Sequence, residues 1–370
     1  MTPIENAREE KGKQIAQIKS KLFRVVDGYY KVKSQSNTRF YDVNNTTIGW
    51  KCNCPDHVYR GTKCKHIWAV QISLGIRNIV KKSLVLVPIT TIACANCNSE
   101  NVRKAGVQHN KCGDTQRYKC KVCGRIFCVN VGFKYMKHSA QEITTAMQLY
   151  FSGESLRATQ RSLQLIGTKV SHMTISNWIG KYTNVMKSYV DKIEPDVSST
   201  WRADEVWIKV KGDLKYLFAL MDDETRYWIA QEVADSKDKH DAKALFAEGK
   251  KIAGKRPETL ITDGLPSYHD AFNKVFYQNT SPRSQHVNAI KLSGSTNNNK
   301  MERINGEIRD REKTMRGLQR KDTAVLKGMQ IYHNYIRPHE GLGGKTPAEA
   351  CGIEIRGDNK WITLIQNASV

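Results

Sequence analysis

Three carboxylates stand far apart in the chain: Asp204 in WRADEVWIKV, Asp263 in LITDGLPSY and Glu302 in NNNKMERINGEIRDREKTMRGL. Alternate side chains of a strand share a face, so Asp204 lies with Val206, Ile208 and Val210. A carboxylate in an apolar row is costly unless it is paired or binds a metal. The neighbouring Glu205 points to the opposite face and needs no such explanation. Glu302 reads as helical, and Arg309, two turns on, shares its face. Hard cations such as magnesium take oxygen ligands and leave positions open for phosphate oxygens. Two such ions about 4 Å apart can clamp the attacking and leaving oxygens of an in-line phosphoryl transfer. Arg309 then suits a nucleic-acid phosphate. Glu307 is the fallback for the third carboxylate.

Positioning these acids asks for particular elements. WRADEVWIKV, KYLFALMD and RYWIAQEV read as strands joined by tight turns, KGD and DDET, in an antiparallel meander. A helix is expected over 239–252, with Ala244, Leu245 and Ala247 toward the sheet. ETLIT reads as a short buried strand that delivers Asp263 and the breaker Gly264. A helix between strands implies a parallel crossover, and ligands sit at the carboxyl ends of such strands. The helix of Glu302 should begin near the polar loop GSTNNN.

Ten cysteines and a net charge of +23 frame the rest of the 370 residues. Such an excess of positive charge points to a polyanion, and nucleic acid is the commonest one. No apolar run is long enough to span a bilayer and no secretory signal opens the chain, so a reducing cytoplasm, with the protein on the nucleoid, is expected. Cysteines there serve metal sites before disulfides. Cys52, Cys54, Cys64 and His66 fall within WKCNCPDHVYRGTKCKHIWAV, after the strand-like GYYKVKSQSNTRFYDV. Three thiolates and an imidazole make a closed tetrahedral zinc site. His57 could compete, but the CxH spacing favours His66. Cys94 and Cys97, then Cys120 and Cys123, form two CxxC pairs 22 residues apart, which suits a zinc ribbon. Cys112, Cys128 and Cys351 read as free cysteines.

Residues 4–25 read as a charged amphipathic helix, and 67–74 as a second. Between 139 and 190 the spacing predicts three helices, the first opened by a Ser139–Glu142 capping box and the third capped at Ser171 or Thr174. A short helix, a glycine turn and a polar-fronted helix make a helix-turn-helix pattern, offering His172, Thr174, Ser176, Asn177 and Lys181 to DNA. A helix is expected over 323–335, a cap at Thr346 with Pro347 and Glu349, and a strand-like WITLIQ. His333 and His339 read as packing residues.

The motifs together carry a resemblance. Asp204, Asp263 and Glu302, with Arg309 behind, resemble the DDE motif of insertion-sequence transposases, and ADEVWIKVKG, ITDGLPSY, NNKMERINGEIRDREKTMRGL and HNYIRPHEGLGGKTPAEACGI resemble stretches of that family. Between Asp263 and Glu302 lie 38 residues, slightly more than many such transposases have. CxC…CxH resembles the SWIM zinc finger, and QRYKCKVCGRIF the ribbon in front of many such enzymes. The resemblance implies a multidomain α+β and α/β chain with a ribonuclease H-like mixed-sheet catalytic domain. The expected segments are a SWIM-type module at 1–80, a zinc ribbon at 92–130, a helix-turn-helix at 137–192, the catalytic domain at 199–318 and a helical tail at 319–370. It also implies two magnesium ions, replaceable by manganese, with Asp204 bridging both and Asp263 and Glu302 completing one site each. Two structural zinc ions would be held in front. The expected partner is double-stranded DNA, transposon ends and target, gripped by a homodimer or larger multimer without a membrane. Water would attack at the element end, and the released 3′-hydroxyl would attack target DNA. A non-catalytic DNA-binding regulator is the alternative from another class.

Overall fold

The computed structural model describes residues 3–18, 21–26, 29–35, 38–46, 49–80, 84–89, 92–94, 96–110, 113–128, 131–134, 136–278, 283–288, 299–315, 318, 320 and 323–369. Among them, no helix is long and apolar enough to cross a membrane.

The N-terminal module opens with α1 (Pro3–Ala16), then β1 (Leu22–Val26), β2 (Tyr29–Lys33), β3 (Phe40–Thr46) and β4 (Gly49–Cys52), followed by α2 (Pro55–Arg60) and α3 (Lys65–Val80). The strands pair in the order β1-β2-β3-β4, all antiparallel. The helix expected over 4–25 ends early, because the aromatic and β-branched LFRVV favours a pleated surface. Tyr30, Val32 and Val43 are buried by strand alternation, and Ile67, Ala69 and Val70 of α3 cover them. Helices α1 and α3 meet at Gly12, where a Cβ would stand 2.6 Å from Trp68 Cβ. Gly12→Ala is expected to push the helices apart at a cost of about 1–3 kcal/mol, more than the roughly 1 kcal/mol that alanine gains by propensity. Faster hydrogen exchange in α1 and α3 would register it.

Next come β5 (Leu84–Leu86) and a three-stranded antiparallel sheet of β6 (Val102–Asn110), β7 (Gly113–Cys120) and β8 (Ile126–Cys128). Three helices follow: α4 (Ala140–Phe151), α5 (Leu156–Leu165) and α6 (His172–Val190). Ser139 and Glu142 form the expected capping box, and Ser171, not Thr174, caps α6.

The expected meander is β9 (Thr200–Val210), β10 (Asp213–Asp222) and β11 (Trp228–Ala234). After it come α7 (Lys239–Ala253), β12 (Thr259–Ile261), α8 (Pro266–Val275), β13 (Gln285–Val287) and α9 (Asn299–Met315). The sheet order is β11-β10-β9-β12-β13. Val206, Ile208 and Val210 are buried while Trp207 and Lys209 are exposed, as the period-2 pattern requires. On α7 the buried residues are Ala242, Leu245, Phe246, Gly249 and Ala253; Ala244 and Ala247 are exposed. The stripe is set by Gly249, whose missing side chain admits Leu220. Residues 294–298 of the loop before α9 lie outside the described residues.

The chain closes with α10 (Ala324–Ile331), a π turn (Tyr332–Ile336), α11 (Pro347–Ala350), β14 (Ile353–Ile355) and α12 (Lys360–Asn367). Thr346 and Glu349 form the expected capping box. WITLIQ is helical rather than extended: Asn359 caps it, and Trp361, Leu364 and Ile365 are buried at helical spacing. Trp361 stacks on Tyr332 and Phe151, at centroid distances of 6.2 and 5.7 Å. β14 pairs in parallel with β5.

One ion-pair cluster fixes α9 against the sheet. Asp223 Oδ1 lies 2.5 Å from Arg202 Nε and 2.8 Å from Lys300 Nζ. The Arg202 side chain is 2% exposed. Burial pushes the Asp223 carboxyl up, but hydrogen bonds from Lys300 and Arg202 outweigh it and hold its pKa below the ordinary value. A depressed folded pKa gives stability that is present above the unfolded value of about 3.9 and lost as pH falls through the folded one. Asp223→Asn takes a carboxylate away from a buried guanidinium and from Lys300. A loss of about 3–5 kcal/mol is expected in urea unfolding at neutral pH. The gap from wild type should shrink on acidification.

Candidate active site and metal centres

Asp204, Glu205 and Asp263 each bring a carboxylate oxygen within 4.8 Å of the others. Asp204 is half-buried on β9. Its Oδ1 accepts from the Glu205 backbone N–H at 3.0 Å, and its Oδ2 from Asn305 Nδ2 at 3.0 Å. Asp263 is exposed, two residues past β12, and its Oδ1 accepts from Leu265 N–H at 3.1 Å. Gly264 has φ +91°, and a Cβ there would meet Asn288 O at 2.6 Å. Only glycine suits this turn, which presents Asp263 to solvent.

Glu205 corrects the sequence reading. Its side chain is 4% exposed and accepts from Lys237 Nζ at 2.5 Å and Tyr268 Oη at 2.8 Å. α8 stands over this face and supplies Tyr268, so Glu205 is not an idle surface acid. Burial pushes the Tyr268 hydroxyl well above its ordinary pKa, and the Glu205 charge adds to it, so Tyr268 stays a donor. Lys237 and Tyr268 offset the charge of one acid and let three stand close together.

Glu302 is exposed in the first turn of α9, one turn before Asn305. Among the described residues it does not join the three converging acids. It shares the helix face of Asn305 and of Arg309, which is also exposed. Glu307, the fallback, lies elsewhere: its Oε1 is 2.6 Å from Arg337 Nη1 and its Oε2 is 3.9 Å from His333 Nδ1. Burial raises its pKa, but His333 and Arg337 outweigh that and hold it low. His333 and His339 are buried; Nε2 of His333 lies 2.9 Å from Arg226 O. Burial draws His339 down to about 4. Both histidines are buried, as a packing role requires.

Cys52, Cys54, Cys64 and His66 converge within 4.8 Å and all are buried. His66 Nδ1 lies 3.9 Å from Cys52 Sγ and 4.0 Å from Cys64 Sγ, while Tyr41 packs on the ring at 4.7 Å. Sulfur ligands at about 2.3 Å and a nitrogen at about 2.0 Å from one zinc ion stand about 3.6–3.8 Å apart, close to these distances. His57 is spent on Thr62 O, 2.7 Å from its Nδ1. In the second cluster Cys94 Sγ is 3.5 Å from Cys123 Sγ, and Cys97 Sγ is 3.6 Å from Cys120 Sγ. The N–H groups of Val122 and Cys123 donate to Cys120 Sγ, and Gly124 turns the knuckle at φ +72°. A backbone hydrogen bond from Arg125 draws the Cys123 thiol down to about 6. Of the other cysteines, Cys351 is buried against Thr225, Cys128 is half-buried, and Cys112 lies outside the described residues.

On α6, Asn177 and Lys181 are exposed, whereas His172, Thr174 and Ser176 are half-buried. The Thr174 hydroxyl lies 2.9 Å from that of Ser171, within the helix cap.

Residues 198–339 match a family model described as a DDE domain, a span that includes Asp204, Asp263 and Glu302. The transposase for insertion sequence-like element IS431mec of Staphylococcus aureus is 31% identical over 147 residues, 39% of this chain and 63% of that protein. An uncharacterized 48.3 kDa protein of insertion element ISM1 from Methanobrevibacter smithii is 23% identical over 198 residues, 49% of this chain and 48% of that protein. A structure of the HTLV-2 integrase catalytic core domain in complex with magnesium (dimeric form) aligns with 43% of this chain and 97% of its own, at 17% identity and a TM-score of 0.32. The chain thus spans under two thirds of the length of the curated relatives it matches. The segment that carries the acids is similar in sequence to the DDE domain of insertion-sequence transposases.

Proposed function

We propose that this chain is a DNA transposase that recognises the ends of a mobile element, cuts a strand there and joins it to target DNA. One observation carries the reading: Asp204 and Asp263, distant in sequence, converge within 4.8 Å inside the segment that matches the DDE domain. Asp204 would bridge two sites, with Asp263 completing one and Glu302 the other. Magnesium ions held there, or manganese in their place, would polarise the attacking and leaving oxygens of the phosphodiester. The donor set suits them, because hard cations prefer carboxylate oxygens and the exposed Asp263 leaves room for phosphate. Asn305 orients Asp204. Arg309 would hold a phosphate beside Glu302.

Two zinc ions would be structural, one in the SWIM-type module and one in the ribbon, with all four positions taken by protein in each. The helix-turn-helix would meet the element ends through His172, Thr174, Ser176, Asn177 and Lys181, with the exposed Asn177 and Lys181 foremost. The net charge of +23 fits a double-stranded DNA partner and a cytoplasmic, nucleoid-bound protein. Bringing two ends together calls for a dimer or larger multimer.

The third carboxylate gives the sharpest test. Glu302→Gln is expected to lower cleavage of a labelled element-end duplex about 100-fold or more, an effect of roughly 3 kcal/mol on the barrier. Glu307→Gln should weaken folding and leave the cleavage rate per folded molecule near wild type. Full activity in Glu302→Gln, with loss in Glu307→Gln, would assign the role to Glu307.

A further inference from the structure

We propose that the sheet face carrying Trp207 and Tyr216 is a stacking platform for unpaired nucleotides of the DNA strand that reaches the acids. The inference rests on the function proposed above and adds the form in which the strand arrives. Trp207 of β9 lies opposite Tyr216 of β10 in the strand register, and their ring centroids are 4.0 Å apart. Trp207 is 46% exposed, and Leu214, one pair further along the same face, is 56% exposed. With Tyr216 beside them, Trp207 and Leu214 make a continuous open apolar strip along one face rather than scattered side chains.

The same face is covered only one pair away in the other direction. There Glu205 lies opposite Phe218, which is buried with Tyr268 of α8 and Phe246 of α7. α7 begins at Lys239, and among the described residues Trp207, Lys209 and Leu214 at the far end of the face are exposed. Lys237, just ahead of that helix, joins the two regions. Its ammonium lies 5.1 Å over the Tyr216 ring and 2.5 Å from Glu205. The aromatic strip therefore runs into the acid cluster without a gap.

The chemistry of the strip selects its occupant. Lys209 and Lys211 border it, and among the described residues neither ammonium has a carboxylate partner. Aromatic faces interleaved with cations hold single strands, because every base has a face to stack and every linkage a negative charge. A closed duplex hides its base faces in its own stack. Only nucleotides freed from pairing can use Trp207, so the strand should be frayed or single-stranded where it approaches the acids.

The test uses the full chain, a labelled blunt duplex and the same duplex with an oligo-dT tail, read by fluorescence anisotropy. Wild type is expected to bind the tailed duplex about 10-fold more tightly than the blunt one. Trp207→Ala should erase that preference with blunt binding unchanged, and Trp207→Phe should keep most of it. An undiminished preference in Trp207→Ala would overturn the platform. So would an equal loss on both duplexes, or a lower sedimenting mass, which would mark a fold defect or a protein interface. Wild type binding both duplexes equally would sink the platform alone; binding neither would sink the proposed function with it.

Discussion

Asparagine in place of Asp204 or of Asp263 is expected to slow strand cleavage about 1000-fold, equivalent to about 4 kcal/mol on the barrier. Each substitution keeps the side chain's shape and removes one negative charge. Asp204 has the firmer support, because Asn305 and the Glu205 backbone fix both of its oxygens. Asp263 is held by one backbone bond, in a turn that only Gly264 can make. Neither residue lies in α4, α5 or α6 or in the cysteine clusters, so binding to the element end should stay within a few-fold of wild type. A gel-shift beside a cleavage assay separates the two effects. Equal loss of binding and cleavage would point to misfolding; normal cleavage would remove the acids from the chemistry.

The second large effect concerns stability. Cys64→Ser is expected to release zinc from the N-terminal module and unfold it. Cys52, Cys54 and Cys64 belong to the buried cluster that also holds Tyr30, Val32, Val43 and Ile67, so the site lies inside the module's own core. His66 adds a buried Nε2 without a hydrogen-bond partner, which leaves Nδ1 facing the thiols as the ligand atom. A module this small has little else to close its core. Structural zinc contributes about 10–16 kcal/mol in finger peptides. Metal analysis should fall from two zinc ions per chain to one, with hydrogen exchange rising across β2, β3 and β4. Two zinc ions retained, or a protected sheet without metal, would contradict this role.

Much of this architecture is legible in the sequence where a local rule acts alone. The capping boxes at Ser139 and Thr346 form because their partners lie three residues away. The meander follows from tight turns and alternation, and the cysteine clusters from ligand spacing. The rule fails where a distant element decides. Alternation assigns Glu205 to an idle face, yet α8 brings Tyr268 to it from elsewhere in the chain. Ala244 and Ala247 look as apolar as Ala242, and only the fit of Gly249 to Leu220 sets which stripe of α7 turns inward. WITLIQ has the β-branched content of a strand, but stacking of Trp361 on Phe151 and Tyr332 needs the helical spacing. Glu302 shares a helix with Asn305, and sequence spacing alone does not show that Asn305 is the residue on Asp204.

The most direct measurement is a plasmid mobility assay with the gene in its native flanks, wild type beside Asp263→Asn, with new junctions sequenced. Junctions formed by wild type and absent with the variant are the predicted result. Junctions at equal frequency with both, or with neither while the protein is folded and zinc-loaded, would contradict a DDE transposase and leave a DNA-binding regulator as the better description.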